Sequence, residues 1–199
     1  QSFSEDFPEE TRTRLQDALR LAGAAEIFEI SGKRPFDGQR FCFRFGKARV
    51  YAALVQPACA RRSKFRLGIP DEGYVYDMQK GLEVRRPRNM GWRADPAGVA
   101  LFSVLPYRVT DVQVAVPKSV PPGHRVTVGL RILTADQPPG DHLVHVQLRP
   151  LGGTPLSYYD KTVLCVEGEG ETYIPLALNE APGLYKVIVR DVLTGMVSE

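Results

Sequence analysis

The sequence predicts an all-β protein of two sandwich-like domains, the second immunoglobulin-like, preceded by one short amphipathic helix. Three observations carry this. Short apolar-alternating runs recur from about residue 26 to the end, at the 8–12-residue spacing of β-sandwiches. The 18 glycines and 16 prolines of the 199 residues supply turns between those runs. Helical spacing occurs once, at the start.

The helix is read over 9–22. Pro8 suits a first turn, and Glu9 and Glu10 favour the positive amino-terminal end of the dipole. Leu15, Ala18, Leu19 and Ala22 recur at helical spacing, and Gly23 is a natural stop. The stripe needs cover, because a lone helix of about 14 residues is marginal in water. The following sheet is the expected cover, since Ile27, Phe28 and Ile30 come close behind.

Residues 24–107 form the first β domain in this reading. Phe41, Phe43 and Phe45 alternate with Cys42 and Arg44, Gly46-Lys47 turns the chain, and Val50 to Val55 returns as the hairpin partner. Lys64 to Ile69 and Gly73 to Met78 are two more strands, separated by Pro70-Asp71-Glu72-Gly73. A continuous apolar run from Val99 to Leu105 closes the block at Pro106. The second domain, 108–199, restarts the pattern. Seven strands are expected, around Val109–Val116, Val126–Ile132, Leu143–Leu148, Lys161–Val166, Thr172–Leu178, Leu184–Arg190 and Met196–Ser198. The joint Leu105-Pro106-Tyr107-Arg108-Val109 has no Gly/Ser spacer, so the two blocks are expected to pack together.

Charge narrows function little. Lys plus Arg number 26 against 23 acidic residues, a net +3 that does not call for a nucleic acid. The excess sits in residues 1–107, mainly Arg61, Arg62, Lys64 and Arg66, then Arg85, Arg86, Arg88 and Arg93. A solvated basic face is the ordinary reading of such runs and a polyanion site the alternative. No apolar run approaches the roughly 18 residues of a membrane span. Three widely spaced cysteines, Cys42, Cys59 and Cys165, form no Cys-x-x-Cys pair. Cys42 and Cys165 read as buried strand thiols.

No catalytic constellation stands out. His142 and His145 lie in a strand-like context, where residues three apart point to opposite faces and do not share an ion. His124 reads as a turn residue. Glu167, Glu169 and Glu171, interleaved with Gly168 and Gly170, read as a hairpin tip with solvated carboxylates, a weak calcium pattern at most. Asp71, Glu72 and Asp77 show no sign of the paired carboxyl groups of glycoside hydrolysis. No cofactor or metal is called for, and the fragment itself is read as non-enzymatic. The one binding candidate is an aromatic and basic set in the first domain: Tyr74, Tyr76 and Trp92 with Arg85, Arg86 and Arg88. Flat aromatic faces bury against sugars, although core packing is their commoner role. Tyr158 and Tyr159 are further aromatic candidates for such a platform.

Several phrases carry a resemblance. Gly73-Tyr74-Val75-Tyr76-Asp77-Met78-Gln79-Lys80-Gly81 is followed by Ala100-Leu101-Phe102-Ser103-Val104-Leu105-Pro106-Tyr107-Arg108-Val109. Then come Pro122-Gly123, Pro139-Gly140-Asp141-His142, Leu176-Ala177-Leu178-Asn179 and Arg190-Asp191-Val192-Leu193-Thr194-Gly195. In this order they resemble the carboxy-terminal β region of large bacterial glycoside-hydrolase-like proteins with a β-galactosidase-type trimerisation domain. The resemblance spans most of 10–199. It implies an accessory region of a longer exported protein, periplasmic or extracellular, with residues 1–23 linking to an upstream α/β domain. The implied partners are those upstream domains, and polysaccharide, anionic chains included, in the alternative reading of a carbohydrate-binding module. It transfers no catalytic residue. The runs Cys59-Ala60-Arg61-Arg62 and Arg85-Arg86-Pro87-Arg88 depart from it.

Overall fold

A computed structural model describes residues 29–32, 36–55, 63–70, 72–95 and 97–199. The expected helix at 9–22, Cys59 and the basic pair Arg61-Arg62 lie outside the described residues. What is described is almost entirely antiparallel β-structure, as expected.

Among the described residues, eight strands precede Pro106. They are β1 (Glu29–Gly32), β2 (Gly38–Phe45), β3 (Ala48–Val55), β4 (Ser63–Gly68), β5 (Tyr74–Asp77), β6 (Leu82–Glu83), β7 (Met90–Ala94) and β8 (Val99–Leu105). They form a three-stranded sheet, β1-β4-β7, facing a five-stranded sheet, β2-β3-β8-β5-β6. Phe41 to Phe45 and Val50 to Val55 pair as the predicted hairpin, with Phe45 opposite Ala48 across Gly46-Lys47. Gly46 has a φ of 54°, which the tight two-residue turn requires. The turn after Ile69 does not close a hairpin. It carries the chain from one sheet to the other, because β4 pairs with β1 and β7 while β5 pairs with β8 and β6.

Between the two sheets lie Tyr51, Ala53, Leu67, Ile69, Val75, Met90, Ala100, Phe102 and Val104. On the five-stranded sheet these are odd residues of β3 and β5 and even residues of β8, as the two-residue period of a strand dictates, and Leu67, Ile69 and Met90 face them from the smaller sheet. The other face of the five-stranded sheet is also covered over half its length. Ala48, Tyr76 and Leu105 belong to the core of the second half of the chain. Burial on both faces explains why β3 (ARVYAALV) and β8 (VALFSVL) lack the apolar-polar alternation of a half-exposed strand.

Seven strands follow: β9 (Val109–Ala115), β10 (Arg125–Thr134), β11 (His142–Pro150), β12 (Lys161–Cys165), β13 (Glu169–Pro175), β14 (Tyr185–Asp191) and β15 (Val197–Ser198). One sheet has the order β13-β10-β9 and the other β12-β11-β14-β15. In immunoglobulin lettering these are E-B-A and C′-C-F-G, a Greek-key sandwich. Tyr185, at the start of β14, donates its hydroxyl hydrogen to the Ala181 carbonyl at 2.7 Å, the tyrosine corner of such folds. The acidic run is a hairpin tip as expected: Val166 bridges to Glu169, and Glu167 and Gly168 take φ values of 49° and 81°. Cys165 is buried; Cys42 is only half-buried, because β2 is an edge strand that overhangs the smaller sheet.

Candidate functional site

The aromatic and basic candidates separate into two places. Tyr74 and Tyr76 share a face of β5, and that face looks toward the second sandwich. This corrects the expectation of a surface platform. Tyr76 is buried, and its hydroxyl accepts the Val109 N–H at 3.0 Å. Loss of water from around it pushes the phenol up to about 12. Tyr74 donates to Asp136 Oδ2 at 2.7 Å, and that bond to a carboxylate is the main reason its ionisation is also raised.

These two tyrosines belong to a dense joint. Arg108 Nε donates to Glu83 Oε2 at 2.8 Å, Arg190 Nη2 to the Met78 carbonyl at 2.9 Å, and buried Ser103 to the Leu193 carbonyl. Backbone meets backbone at Gly81 and Gly195. A Cβ on Gly81 would stand 2.6 Å from the Gly195 carbonyl oxygen, and both glycines have positive φ. The same core runs through the joint, from Ala48, Tyr76 and Leu105 to Val109, Val128, Val144 and Leu193.

Trp92 and Arg86 meet elsewhere, in a cleft of about 710 Å³. It lies where β8 and the end of β5 in the five-stranded sheet meet β7 of the three-stranded one. Ala100 and Phe102 of β8 and Val84 line it, with Met90 and Trp92 on the β7 side and Arg86, Arg93, Asn89, Gln79, Lys80, Asp77 and Asp95 as the polar groups. Trp92 also packs with Phe36 and Phe65, ring centroids 6.2 and 5.9 Å away, so part of the indole is core and part lines the cleft. Asp77 is held by Lys80 Nζ at 2.6 Å and by the backbone N–H groups of Gln79 and Lys80. Arg85 and Arg88 are exposed beside the 3-10 turn Pro87–Asn89 and do not line the cleft. The volume and the apolar floor with a few polar groups match small-ligand sites in general. One aromatic and several opposed charges can stack on a sugar ring and pair with an anionic substituent.

The histidines divide as the strand period requires. His142 points inward and is fully buried; its Nδ1–H donates to Asp191 Oδ1 at 2.9 Å. Asp191 is acceptor-only as a carboxylate, so the ring proton sits on Nδ1 and Nε2 accepts from Tyr107 Oη at 3.1 Å. The Tyr107 oxygen in turn accepts the Gly140 N–H at 2.8 Å. Asp191 Oδ2 accepts from the Thr194 hydroxyl at 2.6 Å and from its N–H at 3.1 Å. An Asp–His–Tyr chain has the form of a proton relay, but every member is closed off from solvent and no substrate atom can reach it. Sequence reasoning passed over this network because Tyr107, His142 and Asp191 are far apart in the chain. His145 faces the other way, 3.5 Å from Asp160. Among the described residues no cluster of three His, Cys, Asp or Glu side chains could hold a metal ion. Burial pushes the Cys165 thiol up to about 11, which leaves it unreactive.

No protein-family model matches this chain, and neither a curated protein nor a solved structure matches it.

Proposed function

We propose that this chain is a non-catalytic accessory region of a longer exported, glycoside-hydrolase-like protein, serving as a stiff structural and interaction module. The joint is the observation that supports this reading most. A continuous apolar core, buried polar ties and a glycine-to-glycine backbone contact hold the two halves at one angle. Such a connection transmits position rather than flexing, unlike the polar and mobile interfaces common between domains. Small-angle scattering on the purified chain is expected to give one rigid shape, unchanged by salt. The same material is expected to release nothing from chromogenic glycosides or esters; turnover that persists through repurification would overturn the reading.

A second reading has its own observation, the cleft that unites Trp92 with Arg86, Asn89 and Lys80. In this reading the chain is a carbohydrate-binding module for anionic polysaccharide. Trp92 is the single tryptophan, so its fluorescence reports occupancy directly. Titration with acidic and neutral polysaccharides is expected to show salt-sensitive binding of the acidic ones, lost in Trp92→Ala and weakened in Arg86→Ala. Absence of any response leaves the structural role alone.

A further inference from the structure

The end of the second sandwich opposite the joint carries an unusual surface. Three loops meet there: 116–124 between β9 and β10, 151–160 between β11 and β12, and 176–184 between β13 and β14. They are knitted together. Gly123 N–H donates to the Ala177 carbonyl at 3.1 Å, Leu176 N–H to the His124 carbonyl at 2.9 Å, and Leu151 N–H to the Leu184 carbonyl at 2.8 Å. Tyr159 is buried beneath them; its hydroxyl accepts the Ala177 N–H at 2.8 Å and donates to Glu180 at 2.7 Å. From this fixed base Leu178, Leu184, Tyr158 and Leu151 project with 88%, 74%, 69% and 59% of their surfaces exposed. Scattered exposed leucines need no explanation, but four large apolar residues on one hydrogen-bonded tip do.

Charge is sorted along the same axis. Of the eight basic residues in 108–199, five lie in or beside these loops: Lys118, Arg125, Arg149, Lys161 and Lys186. Of the ten acidic residues in that span, Asp160, Glu180 and Glu199 do, and Glu199 pairs with Arg149 and Lys186 at 3.3 and 2.7 Å, which leaves Lys118, Arg125 and Lys161 as the basic residues without a carboxylate partner there. Glu180 is engaged by Tyr159, while Arg125 and Lys161 stand 4.3 and 4.4 Å from the Tyr173 ring centroid, a rim of positive charge behind the apolar tip.

We propose that this tip is a membrane-docking surface that inserts Leu178, Leu184, Tyr158 and Leu151 into the headgroup–acyl boundary of an anionic bilayer. Separate projections suit a soft medium that fills the space between them. They do not suit a flat rigid partner, which would leave gaps. Tyrosine at the rim fits the interfacial preference of amphipathic aromatics. The basic residues behind it would lie at headgroup depth, where each contributes favourably to binding anionic lipid.

The test is co-sedimentation of the 199-residue chain with vesicles of phosphatidylcholine alone and of phosphatidylcholine with phosphatidylglycerol. Binding is expected with the anionic vesicles, weakening as salt rises from ~0.1 to ~1 M. Leu178→Ser and Leu184→Ser are each expected to weaken it by roughly tenfold, with melting temperature unchanged because these side chains are exposed. Lys118→Gln with Lys161→Gln is expected to weaken binding to anionic vesicles. Arg85→Gln with Arg88→Gln, on the first sandwich, is expected to leave it intact. Absence of binding to either vesicle overturns the proposal. So does binding that ignores the leucine substitutions or follows the Arg85/Arg88 pair, and so does a dimer abolished by Leu178→Ser, which would make the tip a contact between copies.

Discussion

Removing the Asp191 carboxylate tests how much the second sandwich depends on its one buried polar network. In Asp191→Ala three close donors, the His142 Nδ1–H, the Thr194 N–H and the Thr194 hydroxyl, lose their acceptor at positions with no access to water, as does the more distant Leu193 N–H at 3.4 Å. Each stranded buried donor costs about 1–3 kcal/mol. The costs do not simply add, because one cavity serves all three and the Thr194 hydroxyl rotates. A loss of about 3–5 kcal/mol follows, a large share of the 5–15 kcal/mol typical of a folded domain. Asp191→Asn keeps the volume and one acceptor oxygen but turns an NH₂ toward one of the donors, so about 1–3 kcal/mol is expected. The assay is urea unfolding followed by far-UV circular dichroism and by Trp92 fluorescence together. Trp92 lies in the other sandwich, whose core is separated from that of the second by the shared five-stranded sheet, and the tight joint is expected to make both probes shift to the same lower midpoint. An effect below about 1 kcal/mol for Asp191→Ala refutes the network argument. A Trp92 transition that stays put while the dichroism moves refutes cooperative unfolding of the two sandwiches through the joint.

The remaining expectations concern the same interior. Tyr76 is protonated in the fold up to about pH 12, against about 10 when unfolded. Its contribution is therefore full below pH 10 and lost as pH climbs through 10 to 12. The unfolded state sheds the proton first, so stability falls by up to about 2–3 kcal/mol over that window. Tyr76→Phe flattens this alkaline limb in chemical denaturation curves, and an unchanged limb would place the titration elsewhere. Native-state labelling with a thiol reagent is expected to modify Cys42 far faster than Cys165, whose thiol is buried and hard to ionise. Equal rates would contradict the burial. Gly195→Ala adds a methyl 2.5 Å from the Gly81 Cα at a φ of +73°, so a loss of at least about 2 kcal/mol and faster proteolysis near the joint are expected. Proteolysis and melting like the parent chain would show that the joint yields cheaply.

Much of the second sandwich was legible because its strands are half-buried. In β10, Val126, Val128, Leu130 and Ile132 face the core while Arg125, Thr127 and Arg131 face water, and prolines mark the ends. Strand β7 was not read. Met90, Trp92 and Ala94 do alternate inward, but Gly91 and the arginines around Pro87 blur the run. The two-residue β6 is below any periodic signal. Alternation correctly put Tyr74 and Tyr76 on one face and could not say what that face met. The Asp136, Val109 and Arg108 contacts arise from the second half of the chain. The cleft was half-readable: Trp92 and Arg86 carry the right residue types, yet which of the adjacent Arg85 and Arg86 lines it depends on how the connection between β6 and β7 crosses from one sheet to the other. The His142 network was invisible for the same non-local reason.

The contact between Gly81 and Gly195 has a consequence for how the angle between the two sandwiches changes over time. Side-chain contacts at a joint adjust by hopping between rotamers, and replacing one residue shifts the angle by a small step. Two opposed main chains have no such intermediate settings. A methyl group at either position would meet the opposing main chain and wedge the halves apart. The angle is therefore quantised by two positions: descendants of this chain that keep both glycines would hold it through wide drift elsewhere, and those that lose one would adopt a different angle in a single substitution.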